Sequence, residues 1–304
     1  MRPELVLTGV TVLWGSTFII TKDIVREAPP MLYLVFRFGL AALVLLVLYG
    51  RRLRGRRLLV DGALLGVLNS LGLLLQVIGQ VYTTASKSAF ITSLNTPLVP
   101  LVSYALYRTR PSPPQLAAVA LATLGLMLLT YPTGGAHWNA GDLYTVGCAS
   151  IYAFTIVQIA RRSPRHDARP LTAVQIAAAA LTFVIALAAA HVCLRTWSPA
   201  ELPELVRLEA RPLVVTRRLA VEGVYMAIFC TVFTFGLQTW AMARMSATHA
   251  AIVFALEPVF ATIMAIGWEG SAEWPGARGA LGACVVMVAV VVSEVPRRRA
   301  KMAT

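Results

Sequence analysis

Between positions 247 and 268 runs an apolar stretch with Glu257 followed by Pro258 near its middle. A helix needs roughly 20 such residues to cross a bilayer. A charged side chain at the centre of such a helix costs on the order of 2.5–3.5 kcal/mol on insertion scales, so it usually faces a bundle interior or a water-filled path. Proline beside it removes a backbone hydrogen bond, favours a kink and frees a carbonyl that needs another partner. The stretch therefore predicts a polar centre held between helices. A carboxylate kept neutral by packing alone is the plainer alternative.

An earlier part of the chain repeats this stretch. Displaced by 161 positions, Ala89, Ile91, Pro97 and Pro114 fall on Ala250, Ile252, Pro258 and Pro275. The same displacement lays Arg56, Arg57, Leu58, Leu59, Val60, Asp61 and Gly62 on Arg217, Arg218, Leu219, Ala220, Val221, Glu222 and Gly223. A displacement of 138 puts Trp14 on Tyr152 and Arg37 on Gln175, a weaker match. Two related halves follow, residues 1–134 and 135–304, the second carrying an insertion at about 194–218. Thr96 stands where the second half has Glu257, so any charge-dependent chemistry is asymmetric.

Only 13% of residues are charged and 58% are hydrophobic, which indicates a polytopic membrane protein. The net charge of +13 does not point to nucleic acid, because the basic residues sit in short stretches between apolar segments, where they set topology. Cys148, Cys193, Cys230 and Cys284 are scattered, with no metal-ligand spacing. No cleavable signal is evident in the first apolar run. There is no P-loop, HExxH or GxSxG, so no enzyme, catalytic residue, metal or cofactor is expected.

Ten spans are expected, at about 5–24, 31–49, 62–83, 86–107, 115–131, 142–159, 171–193, 219–243, 247–268 and 275–295. Arg51, Arg52, Arg54, Arg56 and Arg57 crowd one connection, and Arg108 and Arg110 another. Arg161, Arg162, Arg165 and Arg169 mark a third, and Arg297, Arg298, Arg299 and Lys301 close the chain. Positive residues stay inside, which makes these segments and both termini cytoplasmic. The segment at 132–141, with His137 and Trp138, is then external, and so is the insertion, against its own arginine content. An odd number of spans per half makes the halves antiparallel in the membrane. The class is all-α integral membrane, ten transmembrane helices built from an inverted five-helix repeat.

Several spans carry polar residues at helical spacing. Thr8, Thr11, Gly15, Phe18 and Lys22 share a face bordered by Trp14, although small-residue helix packing explains the threonines and glycine equally well. Arg37 lies roughly two turns inside its span, able either to reach headgroups or to bind an anionic group or Glu257. Asn69, Gln76, Gln80 and Thr83 form a carboxamide face beyond what packing needs, while Gly62 and Gly66 form a GxxxG that suggests close helix approach. Asn95 adds to the fourth span, Tyr152, Thr155 and Gln158 to the sixth, and Thr231, Thr234, Gln238 and Trp240 to the eighth. His249 precedes Glu257 by two turns, either as a proton relay or as a satisfied histidine.

These residues carry a resemblance. Trp14 and Gly15, Arg37, the run from Tyr82 through Thr83, Thr84 and Ala85 to Ser86, Asn95 to Pro97, and Glu257 with Pro258 occur in an order that resembles the drug/metabolite transporter superfamily, specifically its EamA-like members. The resemblance covers essentially the whole chain and implies ten helices in an inverted five-helix repeat around a central cavity. It also implies export or exchange of small metabolites, amino acids or amphipathic compounds without ATP. The long insertion departs from the family's usual pattern.

The expected mechanism is alternating access about a midplane site, with Pro97 and Pro258 as hinges. Trp14, Arg37, Gln76, Gln80, Asn95, Gln158, Gln238, Trp240 and Glu257 are the substrate-cavity candidates, and Glu257 and His249 the candidates for proton coupling. An arginine and a carboxylate in one cavity suit a zwitterion, which favours amino acids or similar metabolites. A proton-coupled exporter of cationic or amphipathic drugs is the alternative, with a channel or structural membrane component more remote. The expected partners are a small-molecule substrate and the lipid bilayer, with protons in the coupled reading, for a monomer or homodimer in a bacterial inner membrane.

Overall fold

The computed structural model of the chain describes residues 2–83, 85–130, 139–198, 201–269, 274 and 276–302. Thr84, His137, Trp138, Pro199 and Pro275 lie outside the described residues. The described residues are helical almost throughout: α1 (Pro3–Glu27), α2 (Pro30–Tyr49), α3 (Arg56–Tyr82), α4 (Ala85–Thr92), α5 (Asn95–Tyr107), α6 (Pro113–Thr130), α7 (Ala140–Arg162) and α8 (Ala168–Thr196) make up the first part. The short α9 (Glu204–Leu208), α10 (Arg217–Ala227), α11 (Thr234–Met242), α12 (Ala247–Phe254), α13 (Glu257–Glu269) and α14 (Gly276–Met302) follow. Nine of the described segments are long and apolar enough to cross a membrane, and a tenth, Pro113–Leu129, is apolar but shorter. Large apolar side chains such as Leu43, Val47, Leu48, Leu181, Ile185 and Val291 stand exposed on the outside, where a bilayer would cover them.

The fourth and ninth expected spans are each broken. α4 ends at Thr92 and α5 starts at Asn95; α12 ends at Phe254 and α13 starts at Glu257. The breaks sit before the prolines, not at them. Pro97 and Pro258 fall in the first turns of α5 and α13, where a missing N–H costs nothing because no intrahelical partner exists for it. Pro100, by contrast, is interior to α5. The Thr96 hydroxyl donates to the Ala251 carbonyl at 3.2 Å and ties one break to the other.

The eighth span is also not a plain α-helix, because a π-helical stretch, Ile228–Phe233, joins α10 to α11. Its wider turn leaves backbone groups in need of other partners. Arg37 of α2 supplies them. Its Nε donates to the Thr231 hydroxyl at 2.9 Å, and its Nη2 donates to the Cys230 carbonyl at 3.1 Å. The Thr231 hydroxyl in turn donates to the Met226 carbonyl at 2.8 Å.

Helices from the two parts of the chain interleave. α3 packs against α7 and α8, α2 against α8, α1 against α11 and α13, α5 against α7 and α12, and α6 against α14. The GxxxG closes α3 onto α8: a Cβ on Gly66 would stand 2.2 Å from the Gln175 carbonyl oxygen, and one on Gly62 would stand 2.6 Å from Val174. At the arginine-rich end, Asp61 of α3 binds Arg162 of α7 and sits 2.8 Å from His166. At the opposite end, Arg218 of α10 binds Asp23 of α1 at 2.7 Å.

The insertion is folded onto the body. Leu205 of α9 joins Met31, Ile78 and Ala190 in one apolar cluster. The carboxylate of Glu209, 5% exposed, accepts the backbone N–H groups of Met31 at 2.7 Å and Leu32 at 3.3 Å. It thereby satisfies orphan donors at the start of α2 and meets the positive end of that helix dipole.

Candidate functional site

A cavity of about 70 Å³ lies at the level of the two helix breaks. Its walls come from α1, α2, α3, α7, α11 and both broken helices. Trp14, Arg37, Gln76, Gln80, Asn95, Gln238 and Glu257, seven of the nine residues singled out from the sequence, line it together. Thr17, Thr21, Asn69, Thr92, Tyr152 and Thr155 add polar groups, and Phe235, Phe254 and Ile156 supply apolar surface.

Glu257 is the first residue of α13, directly after the break. It is only partly buried, and its accessible surface opens onto the cavity. Arg37, 4% exposed, lines the same space but forms no ion pair with Glu257. Three of its contacts go to the Thr231 hydroxyl, the Cys230 carbonyl and, at 3.4 Å, the Tyr33 hydroxyl. A guanidinium has five N–H donors, so it keeps donor capacity beyond these.

Trp14 packs parallel to Phe254, with ring centroids 5.7 Å apart, and its indole N–H donates to the Thr234 hydroxyl at 3.1 Å. The Gln76 amide donates to the Thr92 hydroxyl at 3.3 Å. Several polar atoms on the walls have no hydrogen-bond partner among the described residues: Nδ2 of Asn69, Oε1 of Gln80 and Oε1 of Gln238. A buried amide left without a hydrogen bond costs about 1–3 kcal/mol on protein scales, so these atoms call for water or a ligand. Lys22 of α1 lies one residue beyond the wall residue Thr21 and ties α1 to the end of α3. It donates to the Gln80 and Thr83 carbonyls at the end of α3, and Lys87 meets Asp142 at 2.6 Å nearby.

Three sequence candidates lie elsewhere. Gln158 is buried but turned towards the arginine-rich end, where its amide donates to the Tyr107 hydroxyl at 2.9 Å and its carbonyl accepts from Arg162. Trp240 lines a separate lateral crevice, with the Arg244 guanidinium 4.3 Å above its ring. His249 is buried in the first turn of α12, its backbone N–H capped by Ser246, and is not among the cavity residues. All three share helices with true wall residues, and helical spacing alone does not separate a wall from the end of the same helix. Tyr152 carried a signal, since the displacement of 138 sets it on Trp14, and both line the cavity. Phe235 and Ile156 carried none, being indistinguishable from core residues in sequence.

The sequence model of the EamA-like transporter family matches residues 1–131 and 139–294. Two proteins of Archaeoglobus fulgidus, each named an uncharacterized transporter, are similar along most of the chain. One is 27% identical over 290 residues, 95% of this chain and 84% of its own length. The other is 23% identical over 273 residues, 87% and 88% respectively. A solved crystal structure at 18% identity superposes with a TM-score of 0.71 over 98% of this chain and 99% of its own, which supports the fold. These names point to a transporter, not an enzyme. With a family match across nearly its whole length and a bundle of apolar helices around a polar cavity, the chain belongs to the EamA-like transporter family and is a multi-pass membrane transporter.

Proposed function

We propose that the protein carries small zwitterionic metabolites, amino acids or close relatives, out of the cell by alternating access around the Glu257 cavity. One observation carries the reading: Glu257, Arg37 and unpartnered carboxamide atoms converge on one space between the two broken helices. The carboxylate suits an ammonium group, the arginine's remaining donors suit a carboxylate, and the amides suit either end. The cavity of about 70 Å³ is well below the roughly 300 Å³ at which ligand pockets begin, so loading it requires the surrounding helices to part.

In this reading the ten segments form two inverted five-helix halves, 1–134 and 135–304, with both termini cytoplasmic in a bacterial inner membrane. The packing supports it. Exchange the halves by matching α1 with α7, α2 with α8, α3 with α10 and α11, α4 and α5 with α12 and α13, and α6 with α14. Each main contact then maps onto another: α3 on α7 onto α11 on α1, α1 on α13 onto α7 on α5, and α2 on α8 onto itself. Helices paired in this way can exchange roles when a carrier switches sides.

A second reading, a proton-coupled exporter of cationic or amphipathic compounds, is favoured by the engagement of Arg37 with the π-helical stretch between α10 and α11, which leaves a carboxylate and two amide oxygens facing the cavity. Uptake into proteoliposomes separates them. A labelled amino-acid panel and one lipophilic cation are offered with and without a pH gradient, to the wild type and Glu257→Gln. Saturable amino-acid flux that falls at least about tenfold in the variant, the equivalent of losing one charge-assisted contact, supports the zwitterion carrier. Cation flux that requires the gradient and disappears in the variant supports the exchanger and overturns the first reading.

A further inference from the structure

A second space lies on the outer side of α11, turned away from the Glu257 cavity. It is a crevice of about 730 Å³ at the arginine-rich end, walled by Leu45, Leu48 and Tyr49 of α2, the start of α8, and the face of α11 that carries Gly236, Leu237 and Trp240. Leu48 and Phe233 on its rim are more than half exposed, so it opens sideways to where the bilayer lies. Gly236 sets its depth, because a Cβ at that position would meet nothing within 4 Å.

The mouth of the crevice is basic. Arg169 is exposed there and Arg244 lies over Trp240. Asp167 and Tyr49 also line the crevice: Asp167 caps α8 by accepting the backbone N–H of Arg169 at 3.1 Å, while His166 pairs with Asp61 and Arg244 donates to the Trp240 carbonyl at 2.7 Å. Arg51 and Arg52, both exposed, sit on the turn that packs against α8 beside the mouth. An apolar slot at membrane depth below a cluster of arginines, with an indole at the junction, matches an acyl chain below an anionic headgroup.

We propose that this crevice is a binding site for one anionic phospholipid of the adjoining leaflet, the cytoplasmic one in the orientation given above. The chain lies along Leu45, Leu48, Phe233 and Leu237, and the phosphate is held by Arg169 and Arg244. Because α11 presents Gln238 to the central cavity and Gly236 to the crevice, the lipid also braces the helix that forms one wall of the transport site.

The test uses the purified full-length protein in detergent, titrated with dioleoylphosphatidylglycerol, dioleoylphosphatidylcholine or inorganic phosphate and read by native mass spectrometry and thermal unfolding. One phosphatidylglycerol is retained at concentrations where phosphatidylcholine is not. Arg169→Ala weakens retention by roughly fivefold, the usual weight of one arginine near an anionic surface. Gly236→Leu fills the slot without touching an arginine and abolishes retention while the protein unfolds at an unchanged or higher temperature. Equal retention of both lipids, or undiminished phosphatidylglycerol in Gly236→Leu, overturns the proposal. So does full competition by inorganic phosphate, or a homodimer that Gly236→Leu dissociates.

Discussion

Glu209 is a single carboxylate that ties the insertion to the body, because its two backbone partners sit at the start of α2. Burial raises its carboxyl above the ordinary 4.5, against the Met31 and Leu32 amides and nearby His191, which pull it down. A docked group with a raised value binds its proton more tightly than the same group undocked. Docking is therefore strongest below the ordinary value and weakens as pH rises through the raised one. Proteolysis of the insertion, normalised to a free peptide of the same sequence, should be slower at about pH 5 than at about pH 8 in the wild type. In Glu209→Gln the two rates should agree; an unchanged pH dependence would assign it to another group. None of this was legible in the sequence, where Glu209 is one of three glutamates in a proline-rich stretch. The centrality of Glu257 was legible, because a carboxylate inside hydrocarbon needs a reason wherever it stands. Arg37 was legible as unusual but not in its role, since its partners belong to a π-helical stretch far away in the chain.

At the scale of the helix, close approach rather than polarity sets the tolerances. Gly66 faces the Gln175 carbonyl, backbone that cannot swing aside, whereas Gly39 of α2 has open space where a Cβ would go. Overpacking a fitted interface costs typically 1–3 kcal/mol, and replacing a helical glycine in open space gains roughly 0.5–1 kcal/mol. Gly66→Ala should therefore unfold at a lower temperature than the wild type in detergent, and Gly39→Ala at the same or a higher one. Equal effects would mean that α3 and α8 are not in contact as described. The ends of most helices fall within a few residues of where hydropathy, prolines and arginines put them. The interiors were harder. The fourth and ninth spans were expected as single kinked helices, yet the breaks precede Pro97 and Pro258, since proline is most at home in a first turn. The π-helical stretch leaves no mark on hydropathy, because the apolar character of Ile228–Phe233 is the same in either helix type.

For the whole molecule, the repeat displaced by 161 positions is the sequence feature that reaches furthest. It pairs Asn95 with Leu256 and so brings the two helix breaks into correspondence to within a residue. The lateral crevice escaped it, being built where α11 and the start of α8 differ from their counterparts. The central claim is that the Glu257 cavity is one site presented to the two sides of the membrane in turn. Counterflow tests this most directly: proteoliposomes preloaded with the unlabelled compound that the uptake panel identifies are diluted into the labelled one. The account predicts saturable uptake accelerated by preloading in the wild type, and loss of that acceleration in Glu257→Gln protein that unfolds at the wild-type temperature. Flux that rises linearly with concentration and ignores preloading, or counterflow undiminished in Glu257→Gln, would contradict it.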